Sequence, residues 1–128
     1  MGYAPEILSR WRALETAFFS SNTFSPELLE QVRRALAFGN GCAYCMATAG
    51  RPNKSQPDPK TALALALAEL FVRNHEVIDD PILCALKNEF SEREIAELLA
   101  FMSFTCASQM FGASLGLKPR ETYERSDS

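Results

Sequence analysis

An all-helical single domain is the fold that the sequence predicts, and three observations predict it. No segment combines β-branched residues with strict polar and apolar alternation, as a half-buried strand requires. Helix-start chemistry recurs instead at Pro5-Glu6, Ser25-Pro26-Glu27, Asp58-Pro59, Asp80-Pro81 and Ser91-Glu92-Arg93-Glu94. Helix-stop chemistry follows at Gly39-Asn40-Gly41, Gly50-Arg51-Pro52 and Gly116. The expectation is a helical bundle of five to six helices over residues 1–117, with no internal repeat or domain boundary, and a mobile tail over 118–128.

Taken in order, Glu6 to about Ser20 reads as an amphipathic helix, because Ile7, Trp11, Leu14 and Phe18 recur at steps of three and four. Ser25 caps a second helix whose buried face is Leu28, Leu29, Val32 and Leu36, stopped by Gly39-Asn40-Gly41. A short third helix is expected from about Cys42 to Ala49, since Gly50 can turn left-handed and Pro52 forbids continuation. Arg51 to Asp58 reads as an exposed loop. The alternation Ala62-Leu63-Ala64-Leu65-Ala66-Leu67-Ala68 has the period of a strand, yet Ala and Leu are the strongest helix formers, so Lys60 to about Asn74 reads as a buried helix. Asp80-Pro81 opens a shorter helix through about Asn88, and the capping box at Ser91 opens a long apolar one.

Composition bounds the function. The 128 residues carry 47% hydrophobic and 23% charged side chains, which suits a globular domain that needs no disulfide staples. No basic and apolar leader is visible at Met1-Gly2-Tyr3, and no apolar run is expected to escape charge for long enough to span a bilayer, so a cytoplasmic location and no membrane partner are expected. A net charge of −3 from 13 basic and 16 acidic residues offers no basic stripe, which argues against nucleic acid.

Cys42-Ala43-Tyr44-Cys45 is the stretch that carries chemistry. Two thiols one helical turn apart behind a flexible turn form a candidate redox pair, and a helix beginning there would favour the thiolate through its dipole and free N–H groups. Helical neighbours three apart have Cβ atoms roughly 5–6 Å apart. A relaxed disulfide prefers roughly 3.5–4.5 Å, so a bridge between them should be readily reduced. A zinc site would need about four ligands, and the chain otherwise offers His75, Cys84 and Cys106 singly, so no metal or other cofactor is expected. Cys84 and Cys106 sit among apolar neighbours and read as core.

Glu30-Gln31-Val32-Arg33 followed by Gly39-Asn40-Gly41-Cys42-Ala43-Tyr44-Cys45 resembles the carboxymuconolactone decarboxylase superfamily, in its alkylhydroperoxidase D-like branch. The resemblance rests on a Glu about twelve residues before an Asn-Gly-Cys-x-x-Cys motif, and extends from Ala4-Pro5-Glu6 to Leu115-Gly116-Leu117. It implies a homo-oligomer acting on a hydroperoxide or disulfide substrate with a dithiol reductant, through a relay of Glu, two Cys and a His. The relay His position is Ala49 in this chain, so weak peroxide turnover is expected, because a positioned base contributes roughly 10²–10⁴-fold. Which sulfur attacks first stays open in the sequence: the family relay points to Cys45, whereas Cys42 is expected to be the more exposed at the helix entrance, and the reading adopted gives peroxide to Cys45 and the reductant to Cys42.

Three residues are candidates to compensate. Glu30 would serve as the proton acceptor with a raised pKa, against a reading as an exposed partner of Arg33 or Arg34. Tyr44 would donate a hydrogen bond, against simple packing. His75, the only histidine, would enter across a subunit contact, against a solvated helix end. Gln109 and Met110 stand where the family often has Asn and Arg. The rival readings are a non-redox decarboxylase-like enzyme on the same fold and a non-catalytic oligomeric redox sensor.

Overall fold

Four polar side chains start four of the helices by one device: each accepts a hydrogen bond from the backbone N–H three residues on. Ser25 takes Leu28, Asp58 takes Thr61, Asp79 takes Ile82 and Ser91 takes Glu94, at 3.1–3.2 Å. The computed structural model describes residues 5–41, 46–47 and 50–116. Its helices are α1 (Pro5–Ser20), α2 (Pro26–Asn40), α3 (Pro59–Asn74), α4 (Asp80–Leu86) and α5 (Glu92–Ser114), with a 3₁₀ turn at His75–Val77. There is no strand among the described residues, so the fold is all-helical. The proposed tail, 118–128, lies outside the described residues.

Local chemistry places most boundaries where the sequence expects them. Ser91 and Glu94 form both hydrogen bonds of the capping box, at 3.1 and 2.8 Å. The Ala/Leu stretch is helical, and its buried positions, Thr61, Ala64, Leu65, Leu67 and Ala68, follow a helical repeat. The left-handed turns at Gly41, Gly50 and Gly116 have φ of 66°, 81° and 70°. Two boundaries differ. The cap of α4 is Asp79 in place of Asp80, and the helix ends at Leu86, before Asn88. Gly39 does not stop α2 but lies inside it, because a Cβ there would overlap the Val72 side chain where α2 and α3 cross closely.

The core gathers on α2. Leu28, Leu29, Val32 and Leu36 are all buried, as the sequence reading has them, and they pack with Leu65, Leu67 and Ala68 of α3 and Leu98, Phe101 and Met102 of α5. α1 departs from expectation, since none of its residues is buried and Ile7 and Leu14 are 62% and 46% exposed. It is fastened to α5 by aromatic contacts, Trp11 to Phe104 and Phe111, and Phe18 and Phe19 to Phe101, with ring centroids 5.3–6.0 Å apart. Trp11 Nε1 also donates to Ser108 Oγ at 2.9 Å.

α5 corrects the expectation about apolar length. Leu98 to Leu117 carries no charged residue, and Glu92–Ser114 is long and apolar enough to cross a membrane by length and composition alone, as the core helix of a water-soluble fold also can be. A third of its apolar window is buried within the fold, where Leu98, Phe101, Met102, Thr105 and Gln109 face the other helices.

Candidate functional site

The C-terminal end of α2 and the loop after Gly50 bracket the two-cysteine stretch. Gly41 closes α2 in a left-handed conformation, its N–H on the Phe38 carbonyl at 3.3 Å, one residue before Cys42. Helical backbone is present at Met46 and Ala47, and the Gly50 N–H donates to the Met46 carbonyl at 2.9 Å. Cys42, Tyr44, Cys45 and the relay position Ala49 lie outside the described residues. The chain beyond Gly50 returns to α2: the buried Gln31 accepts the Asn53 N–H at 2.6 Å, and Arg34 Nη1 donates to the Arg51 carbonyl at 3.4 Å.

Glu30 does not have the environment that a proton acceptor needs. Its carboxylate receives Arg33 Nε and Nη2 at 3.0 and 2.6 Å and Arg34 Nε at 3.1 Å. Partial burial pushes its pKa up, but the hydrogen bonds and charges of the two arginines outweigh this and hold it below the ordinary carboxylate range. The expected raised pKa is therefore corrected: Glu30 is an ion-paired anion at neutral pH. It orients Arg34, which in turn holds the loop at Arg51.

Asn40 has a role that sequence reading assigned only to the turn. Its amide meets Gln109 of α5 at 2.7 Å, and its Nδ2 donates to Cys106 Sγ at 3.4 Å. In either amide orientation Gln109 is also bonded to the α2 backbone, at Arg33 or at Leu36 and Ala37. A partly buried polar bridge thus fixes the end of α2, two residues before Cys42, to the long helix. Burial raises the Cys106 pKa more than the Asn40 hydrogen bond lowers it, so Cys106 stays a neutral thiol. It is half-buried against the core. Cys84 is exposed, contrary to the core reading, because α4 is short and buries only Leu86.

His75 lies in the 3₁₀ turn, exposed, with its ring 5.8 Å from that of Phe71. The crossing of Gly39 and Val72 sets the C-terminal ends of α2 and α3 side by side, so His75, three residues past Val72, is at the same end of the bundle as Gly41. No described hydrogen bond joins it to Glu30. Among the described residues no cluster of three or more His, Cys, Asp or Glu side chains is arranged to hold a metal.

No protein-family model matches this chain, and no curated protein matches its sequence.

Proposed function

We propose that this chain is a thiol–disulfide oxidoreductase of the alkylhydroperoxidase D-like type, in which Cys42 and Cys45 cycle between dithiol and disulfide. The observation that carries the reading is the setting of the residues on either side of the Cys-x-x-Cys stretch in sequence: α2 is closed at Gly41, Met46 and Ala47 are helical, and the chain at Asn53 is tied back to α2. Thiols at the N-terminal end of a helical turn are suited to thiolate formation, and that is the setting the reading requires of Cys42 and Cys45.

In the proposed cycle the Cys45 thiolate attacks the distal oxygen of a hydroperoxide, the O–O bond breaks, and the alcohol leaves with a proton. The resulting sulfenic acid condenses with the Cys42 thiol to give the disulfide and water. A dithiol reductant attacks at Cys42 and restores both thiols while becoming a disulfide itself. Glu30 acts in this scheme as a positioning residue through Arg34, because its carboxylate is already committed to two arginines. With Ala49 at the relay position the scheme relies on Tyr44, His75 or water for proton transfer, so peroxide turnover is slow and exchange with a small disulfide is the faster reaction.

Association of copies in a cytoplasmic, reducing setting belongs to the same reading. Its support is the apolar stripe of Ile7, Leu14, Met110, Phe111 and Leu115, exposed along α1 and the end of α5.

The deciding experiment is steady-state peroxide consumption with dithiothreitol, run alongside reduction of a small disulfide, in the natural protein and in Cys45→Ser. The expected result is measurable turnover abolished by the substitution, together with loss of two hydrogens by mass under mild peroxide. Equal rates in both proteins would remove the activity, and oxidation without turnover would favour the redox-sensor reading.

A further inference from the structure

We propose that the open cleft between α2, the loop over 50–58 and the C-terminal half of α3 binds a small multivalent anion, a polycarboxylate or a phosphate, through Arg51 and Arg73. The cleft measures about 700 Å³, the size of a small-molecule site, and its floor is the crossing of Gly39 and Val72. Its charge is opposite to that of the chain as a whole: Arg51, Lys54 and Arg73 line it against the single carboxylate of Glu69, in a protein whose net charge is −3.

Among the described residues neither guanidinium group is paired with a carboxylate. Lys54 Nζ holds the Glu69 carboxylate at 3.0 Å, which keeps that anion from closing on Arg73. Arg73 spends only Nε, on the Glu69 backbone carbonyl at 3.3 Å, so its terminal amino groups have no carboxylate among the described residues. Arg51 lies over the Phe38 ring at 5.1 Å from its centre, a cation–π contact that fixes the guanidinium plane without neutralising it. The wall that carries Arg51 is itself anchored, by Gln31 to Asn53 and by Arg34 to the Arg51 carbonyl. Two guanidinium groups lining one open cleft match a ligand with two or more carboxylates or a phosphate, since guanidinium groups bind such oxygens in pairs.

The inference is independent of thiol chemistry, so either can fail alone. The experiment is calorimetric titration of the full chain with citrate and, separately, with inorganic pyrophosphate at low ionic strength. The expected result is saturable one-to-one binding of at least one probe, weakened about tenfold or more in the R51Q/R73Q double variant. Binding should also weaken as sodium chloride is raised. Preference between the probes separates carboxylate from phosphate recognition. Arg10→Gln, on α1 and paired with Glu6, serves as the charge control and should leave the affinity within about twofold. All three positions are exposed, and circular dichroism verifies that the variants remain helical. No saturable binding of either probe, or equal weakening in Arg10→Gln and the double variant, would overturn the proposal.

Discussion

α1 and α2 are nearly equal in length and both show an apolar stripe in sequence, yet they end in opposite situations. α2 buries seven residues at the centre of the fold, whereas α1 buries none and leaves Ile7 and Leu14 in solvent. The difference teaches that a helical apolar repeat specifies a face but not what covers it. α2 meets two neighbours, α3 and α5, and so its stripe is closed from both sides. α1 is held mainly against α5, through edge and tilted aromatic contacts, and half of its stripe stays open.

Substitutions should sharpen this contrast. The largest effect is expected at Leu36→Ala on α2, where the side chain is wholly buried: loss of about 2–5 kcal/mol, read from the urea unfolding midpoint at unchanged slope. Ile7→Ser and Leu14→Ser on α1, measured the same way, should change monomer stability by less than about 0.5 kcal/mol. A comparable loss at both helices would break the comparison. The same α1 variants should shift a self-associated form towards monomer in size-exclusion chromatography if the open stripe is the contact between copies.

Gly39→Ala comes next, at about 1–3 kcal/mol, because the added methyl meets Val72. Combining it with Val72→Ala should recover part of the loss, so a double-mutant cycle with no coupling between the two positions would rule out the close crossing. Ser25→Ala and Ser91→Ala should each cost about 1 kcal/mol through the lost cap.

A further modest effect concerns Glu30 and acid. Its pKa is lowered in the folded protein, so the contribution to stability is fully present above the unfolded value and is lost as pH falls through the lower folded value. The pair is partly solvated, so screening limits this to at most about 1 kcal/mol. Glu30→Gln should therefore lower stability slightly at neutral pH and flatten the decline in acid; an unchanged acid profile would show that the arginine pairs are not formed in solution.

The site was legible only in part. Glu30 was visible as a candidate, and its partners Arg33 and Arg34 were visible at helical spacing, but the choice between a raised and a lowered pKa depends on both arginines converging on one carboxylate. In sequence Asn40 marks only a helix stop, since nothing in a local window announces a partner on α5 some seventy residues away. Cys84 and Cys106 have similar apolar neighbours in sequence and differ in the fold, because a two-turn helix cannot bury its flank whereas the long helix can.

What the amino-acid sequence determined by itself is the helical content and most helix ends: the caps at Ser25, Asp58 and Ser91, the left-handed turns at Gly41, Gly50 and Gly116, and the helical character of the Ala/Leu stretch. These are settled within a few residues, by which side chain satisfies which backbone group and which backbone angles a residue tolerates. Only the tertiary structure decided that Gly39 permits a crossing, that α1 keeps an open face, and that Arg51 and Arg73 share a cleft. Burial and electrostatic environment are properties of what comes near in space, and proximity between distant segments is written in no local pattern.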